Sequence, residues 1–278
     1  MKKGTLVFGV AVLLAAAASG YRDGRSGSPS GSAQLPGVLA GYAVRPPWQV
    51  AGIDYHVGIP AGTVLKDPTL AGALPPGATY SATAHTVTVA ANGVTLDAYD
   101  FSLHGGIRLV VTAADVIVRN CLFVTGANQG AQGTVVAVTP AAGNVTFLNN
   151  EFSGANIPVT SQAGNLLYVQ NHGTAAFLYN HIHDTGGDAI DFSGGPQAEI
   201  VDYNLFANIG TRTAHADTLQ WYNAQVTSGE IAFNTVYQSA PQPGPGNGAL
   251  TLTSEGPAAT MSDMVVSNDT IPQVAAGT

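Results

Sequence analysis

The residues best suited to chemistry gather in two stretches, Asn180–Gly195 (NHIHDTGGDAIDFSGG) and Arg212–Asn223 (RTAHADTLQWYN). Aligning DAIDFS with DTLQWY sets Asp188 beside Asp217 and Asp191 beside Gln220, with Tyr168 preceding Asp191 in the same outward column. Paired carboxylates can split acid and base work, one giving a proton to a leaving oxygen and the other activating water or attacking. Asp191 with Asp188 or Asp217 would supply such a pair. A second chemistry removes a carbon-bound proton beside a carboxylate. There His215 or Arg212 is the candidate base, and Asp184, Asp188 or Asp217 could hold a neutralising Ca²⁺ through hard oxygen ligands. A third use is binding alone, with Tyr168, Gln220 and Asp191 bonding hydroxyls and His183 a further substrate-binding candidate.

Plainer roles compete with each. Asp188 and Asp217 follow small residues at strand starts, where Asp often satisfies backbone amides. Arg212 could pair with Asp184 or Asp188, and His215 with Asp191 or Asp217. Trp221 falls inward by alternation, and His181 reads as a surface residue.

The elements that must position these groups are short strands in a repeat. A unit ending Asn-x-apolar occurs as VIVRNCL (Asn120), FLNNEF (Asn150), FLYNHI (Asn180), VDYNLF (Asn204) and IAFNTV (Asn234), with a weaker copy at Asn268 and an Asn-free one, VTLDAYDF, from Val94. The interval of about 30 residues is that of a solenoid coil. Between these units run TVVAVT, NLLYVQ, DAIDFS, DTLQWY and GALTLT. Their alternate positions Val136/Val138, Leu167/Val169, Ile190/Phe192, Leu219/Trp221 and Leu250/Leu252 are all apolar, which pins the register. Each coil thus holds at least two strands, and stacking coils buries a continuous core and pairs strands in parallel. The recurrent Asn is expected at a bend, stacked into a ladder through six coils.

This pattern, and VTLDAYDFSLHGGIRLVVTAADVIVRNCLF most closely, resembles the pectate-lyase-like superfamily of right-handed parallel β-helices over roughly Val94 to Thr278. The resemblance implies a polysaccharide partner, on which lyase, hydrolase or purely binding relatives act. A non-catalytic adhesive or structural surface solenoid is the alternative.

Composition agrees with an all-β chain. Only 9% of residues are charged, against about 25% in an average soluble protein. The net charge of −8 offers no basic footprint for nucleic acid. Lys2, Lys3, the apolar run Leu6–Ala18 and the small residues Ala18–Gly20 read as a signal peptide over 1–20. The expected product is secreted or periplasmic, with no membrane span once the signal is removed. Residues 21–41 read as a Gly/Ser-rich linker, 42–91 as an irregular amino-terminal cap, and 92–278 as coils. The last coil has barely begun at Thr278, which leaves a truncated product or pairing with another chain as alternatives. Cys121, the single cysteine, can form no internal disulfide and is expected to be a small core residue.

Overall fold

Alternation of apolar and polar residues makes three-to-five-residue strands, and Gly, Asn and Asp between them turn the chain at each end. In the computed structural model, which describes residues 39, 44–130, 133–155, 164–211, 215–239 and 254–272, these strands stack coil upon coil. All of the described residues fall in the compact unit Ser32–Thr278. The proposed signal peptide, Arg212, Leu250 and Leu252 lie outside the described residues, as does the linker apart from Leu39.

Each coil presents three faces, one more than the minimum read from the sequence. The first runs through Arg108–Val111, Val136–Val138, Leu167–Val169 and the starts of Ile190–Asp202 and Leu219–Ala232. The second contains Thr95–Asp97, Val116–Arg119, Val145–Leu148, Thr174–Leu178 and the ends of the same two long strands. Those long strands join the first two faces into one curled, mostly parallel sheet of 14 strands. The third face is a separate five-stranded parallel sheet of Leu122–Val124, Glu151–Ser153, His181–His183, Leu205–Ala207 and Thr235–Tyr237. The result is an all-β, solenoid-like stack.

The inward column is as the alternation requires: Val136, Val138, Leu167, Val169, Ile190, Phe192, Leu219 and Trp221 are all buried. Elsewhere in the core, behind the third face, aromatic rings stack from coil to coil, Phe101 on Phe123 at 4.4 Å and Phe123 on Phe152 at 4.9 Å between centroids. Cys121 is fully buried, and burial pushes its thiol up to about 12, so it is inert packing.

The corner between the second and third faces holds the main polar device. The Asn150 backbone N–H and side-chain amide both donate to Asn180 Oδ1, at 2.9 and 3.1 Å. Asn180 donates in the same two ways to Asn204, and Asn204 to Asn234. Each amide also donates to a strand carbonyl: Val118, Phe147, Phe177 and Val201. All four side chains are buried, so this ladder satisfies groups that water cannot reach.

Two of the expected ladder residues are shifted by one. Asn120 and Asn268 have φ of 56° and 58°, in column with Asn149, Tyr179, Tyr203 and Phe233 at 54–61°. The left-handed turn falls on the residue before the ladder, and the ladder positions of those two coils belong to Cys121 and Asp269. Cys121 N–H donates to Asn150 Oδ1, and Asn234 N–H donates to Asp269 Oδ1. The cause is register: Phe123, not Leu122, is the inward partner of Phe152.

The segment 42–91 divides in two. Ala78–Ser81 pairs antiparallel with Thr86–Val89, which joins the first face in parallel. Residues 48–66 form a strap along the corner. Trp48 Nε1 donates to Thr270, Tyr55 Oη to the Phe233 carbonyl, Gly58 N to the Tyr179 carbonyl and Lys66 N to the Ala98 carbonyl. The strap therefore runs back from the last described coil to the first. Gly58 has φ of +82° and lies where a Cβ would meet His181, which suits glycine alone.

Asn180→Ala removes an acceptor shared by two donors and leaves the buried Asn150 amides and Phe147 carbonyl short of partners. It is expected to cost about 3 kcal/mol, the scale of one or two orphaned buried groups. Urea unfolding would measure it, and a loss below about 1 kcal/mol would contradict a structural role for the ladder.

Candidate functional site

Parallel pairing brings the anticipated first-face residues into register: Tyr168 opposite Asp191, and Asp191 opposite Gln220. Neighbouring strands sit about 4.8 Å apart, so these outward side chains form one row across three coils. Gln170 Nε2 donates to Tyr168 Oη at 2.9 Å, which fixes the ring at one end of the row.

The carboxylates lie at the lip of the same strands. Asp188 Oδ1 accepts the Asp217 backbone N–H at 2.8 Å, the amide-satisfying role anticipated for it. His215 Nε2 lies 3.5 Å from Asp217 Oδ2, the His being half exposed and the Asp buried. One donor atom each from Asp188, His215 and Asp217 falls within a 4.8 Å cluster. Asp191 is 5% exposed. Its Oδ2 accepts a short bond from Asn165 Nδ2, and its buried Oδ1 has no hydrogen-bond partner among the described residues. Burial, and then the neighbouring Asp188 charge, push the Asp191 carboxyl up to about 8. Burial likewise lifts Asp188 to about 6, opposed by the Asp217 amide and by His215.

His183 and Asp184 are placed elsewhere. His183 lies on the third face, with Nδ1 at 2.7 Å from Asp184 Oδ2 and Nε2 at 3.3 Å from Glu151 Oε1. Asp184 has φ of 53° at the bend that follows, and its Oδ1 accepts from Asn208 Nδ2 at 3.1 Å. Both oxygens are thus engaged away from Asp188. His181, read as a surface residue, is half buried and stacks on His183 at 4.2 Å between centroids. Burial opposes the charge on both rings, yet His183 rises to about 9 because Asp184 and Glu151 accept from it. His181 falls to about 4, through burial and the positive neighbour.

For Ca²⁺ the first-face cluster is a poor match. Two carboxylates and an imidazole, with one carboxylate oxygen spent on a backbone amide, fall short of the six to eight oxygens this ion takes.

Three groups escaped the sequence reading. Tyr222 is exposed two residues after Gln220 on the same strand and pairs in register with Glu255. Continuing the alternation Leu219-in, Gln220-out, Trp221-in would have found it. Asn165 was read only as the start of a strand, although it stands one coil before Asp188. Glu199 is buried inside the stack, where Trp221 Nε1 and Gln197 Nε2 donate to it at 2.6 and 2.9 Å. Burial lifts its carboxyl to about 8. No period marks an acid in a core.

Asp191, Glu199 and Asp202 (the last raised to about 7, mainly by burial) keep protons when folded that the unfolded chain releases near pH 4. Over that window the native state binds more protons, so stability falls as pH rises from about 4 to 8. Thermal unfolding should show a lower Tm at pH 9 than at pH 5. Glu199→Gln, which mimics the protonated acid, should shrink that difference, and an unchanged difference would refute the assignment.

Comparison with known proteins leaves the chain on its own: no family model, no curated protein and no solved structure matches it.

Proposed function

We propose that this chain is an exported, right-handed parallel β-helix protein of the pectate-lyase-like kind, acting outside the cytoplasm on a polysaccharide. Within that class, glycoside hydrolysis fits the first-face patch better than β-elimination. The observation that carries this reading is the state of Asp191, a buried carboxyl pushed up to about 8 with one oxygen lacking a partner among the described residues. Leaving such an atom unbonded costs about 1–3 kcal/mol, and at the lip of the outward row a substrate hydroxyl or glycosidic oxygen would relieve it. Holding a proton at neutral pH, Asp191 is suited to act as general acid on a glycosidic oxygen. Asp188, ionised above about 6, is its complementary base or nucleophile. Two carboxyls with separated titrations are the arrangement that glycosidic cleavage requires.

The remaining groups have definite parts. Asp217 bonds Asp188 through its backbone and meets His215, whose half-exposed ring can orient water or a sugar hydroxyl. Gln220 and Tyr168 flank Asp191 in the row, and Tyr222 offers an exposed ring for a sugar face. Because Asp191 is 5% exposed, substrate must displace a neighbour to reach it, and the Asn165 amide is the group bonded there. Elimination from a uronate would need cationic neutralisation, whereas the chain carries a net charge of −8 and its first-face cluster suits Ca²⁺ poorly.

The test is a screen of the folded chain against neutral and acidic polysaccharides, reading reducing ends and unsaturated products separately. New reducing ends without unsaturation are expected, with a bell-shaped pH profile whose limbs fall near about 6 and about 8, the values of Asp188 and Asp191. Asp191→Asn should lower turnover by about 100-fold or more, and His215→Ala should lower it as well. Unsaturated products would replace hydrolysis with elimination, and binding without cleavage would leave an adhesive role. Full turnover in both variants would remove the site from this patch.

A further inference from the structure

We propose that Glu151, His181 and His183 form a binding site for one divalent transition-metal ion of the zinc class on the outer surface of the third face. The site is independent of the polysaccharide reading and shares no residue with the first-face patch.

Strand geometry creates it. His181 and His183 are two residues apart on one strand, so both project outward while Ile182 between them is fully buried. Glu151 is the register partner of His181 on the preceding coil. One donor atom from each of the three falls within 4.8 Å of the others. Two imidazoles and a carboxylate match Zn²⁺ and its neighbours in ligand type, and do not match Ca²⁺ or Mg²⁺.

The spacing carries a further signal. A charge-assisted N–H···O⁻ bond draws in to about 2.7–2.9 Å, whereas His183 Nε2 and Glu151 Oε1 stand 3.3 Å apart. That separation is the edge of a tetrahedron with metal–ligand bonds of about 2.0–2.1 Å. Behind the ring, Asp184 lies 2.7 Å from His183 Nδ1 and is itself held by Asn208 from the next coil. A carboxylate on one imidazole nitrogen fixes the tautomer and turns the other nitrogen towards a metal. A simple ion pair between His183 and Glu151 needs no such backing.

The surroundings confine the ion. The adjacent strands place Leu122 and Val124 on one side and Leu205 and Ala207 on the other, so the donors span only two coils. The strap passes alongside, with Gly58 against His181. Its His56 bears on both Glu151 and His181, and His56 Nε2 is bonded to the Ile59 carbonyl at 2.7 Å. Among the described residues, the charged and titratable groups facing the site are Glu151, Asp184, His181, His183 and His56.

The experiment is calorimetric titration of the chelator-treated full chain with Zn²⁺, each variant first shown to be folded by far-UV circular dichroism. One ion per chain is expected. Affinity should fall at least about 10-fold in His181→Ala, in His183→Ala and in the shape-preserving Glu151→Gln. Asp184→Asn, which leaves all three ligands in place, should weaken binding by about 10-fold through the lost orientation. His215→Ala should bind as the parent does. Absence of binding by the folded parent, or unchanged affinity in both His variants, would overturn the proposal. So would loss of binding in His215→Ala, which would move the ion to the first-face cluster.

Discussion

The fold turns on the buried amide column at the corner between the second and third faces. A solenoid coil must change direction there while its backbone groups are out of reach of water. Asn150, Asn180, Asn204 and Asn234 answer both needs, the oxygens of the last three each receiving two donors and every amide giving to a strand carbonyl. The turn itself is made one residue earlier by non-glycine residues in the left-handed region, at about 1–2 kcal/mol each. Part of that cost is recovered outside, where Tyr179, Tyr203 and Phe233 stack at 4.9 Å between successive rings. The same turns offer the carbonyls of Ala98, Tyr179 and Phe233 to the strap. One recurring bend thus sets the coil register and supplies the track on which residues 48–66 run.

The two ends of the column show how strictly the position is defined. Cys121 Sγ takes the place of an amide oxygen and accepts from Tyr99 N–H at 3.4 Å, a weaker acceptor in an otherwise repeated geometry of turns. Asp269 accepts from Asn234 through one oxygen, while its other oxygen is buried without a partner among the described residues. Burial lifts that carboxyl to about 6. The chain contains few cations, so its buried acids are eased by hydrogen bonds and by protonation more than by ion pairs. In the third-face cluster the partly exposed Glu151 and Asp184 are held below the usual carboxylate range, chiefly by their bonds to His183.

Much of this architecture was legible in the sequence because period-2 alternation reports directly on burial. The pairs from Val136/Val138 to Leu219/Trp221 fixed the first face, and with it the opposition of Tyr168, Asp191 and Gln220. The ladder was legible as a repeat but not to the residue. In VIVRNCL and VVSNDTI the Asn marks the left-handed turn, and in FLYNHI it marks the inward step that follows. Asn can satisfy either demand, so residue type alone could not separate them. The strap was illegible for a different reason: its bonds to the corner run mostly through backbone carbonyls, which leave no pattern of side chains.

Sequence proximity also merged two groups that the coil separates. His183 and Asp184 stand five residues or fewer from Asp188, in the short coil whose ladder residues Asn180 and Asn204 are 24 apart. That connection is tied down by Thr185, fully buried, whose hydroxyl donates to the Gly187 carbonyl at 2.6 Å and accepts from Gly210 N at 3.2 Å. Its own carbonyl takes the Thr211 N–H and hydroxyl at 2.8 and 2.9 Å. So anchored, the chain passes from the third face to the first within a few residues and points its two polar groups in different directions. The histidines then meet Glu151 of the previous coil, and Asp188 meets Asp217 of the next. In a solenoid the neighbours that matter chemically lie a full coil away, and adjacency along the chain is a poor guide to which side chains share a site.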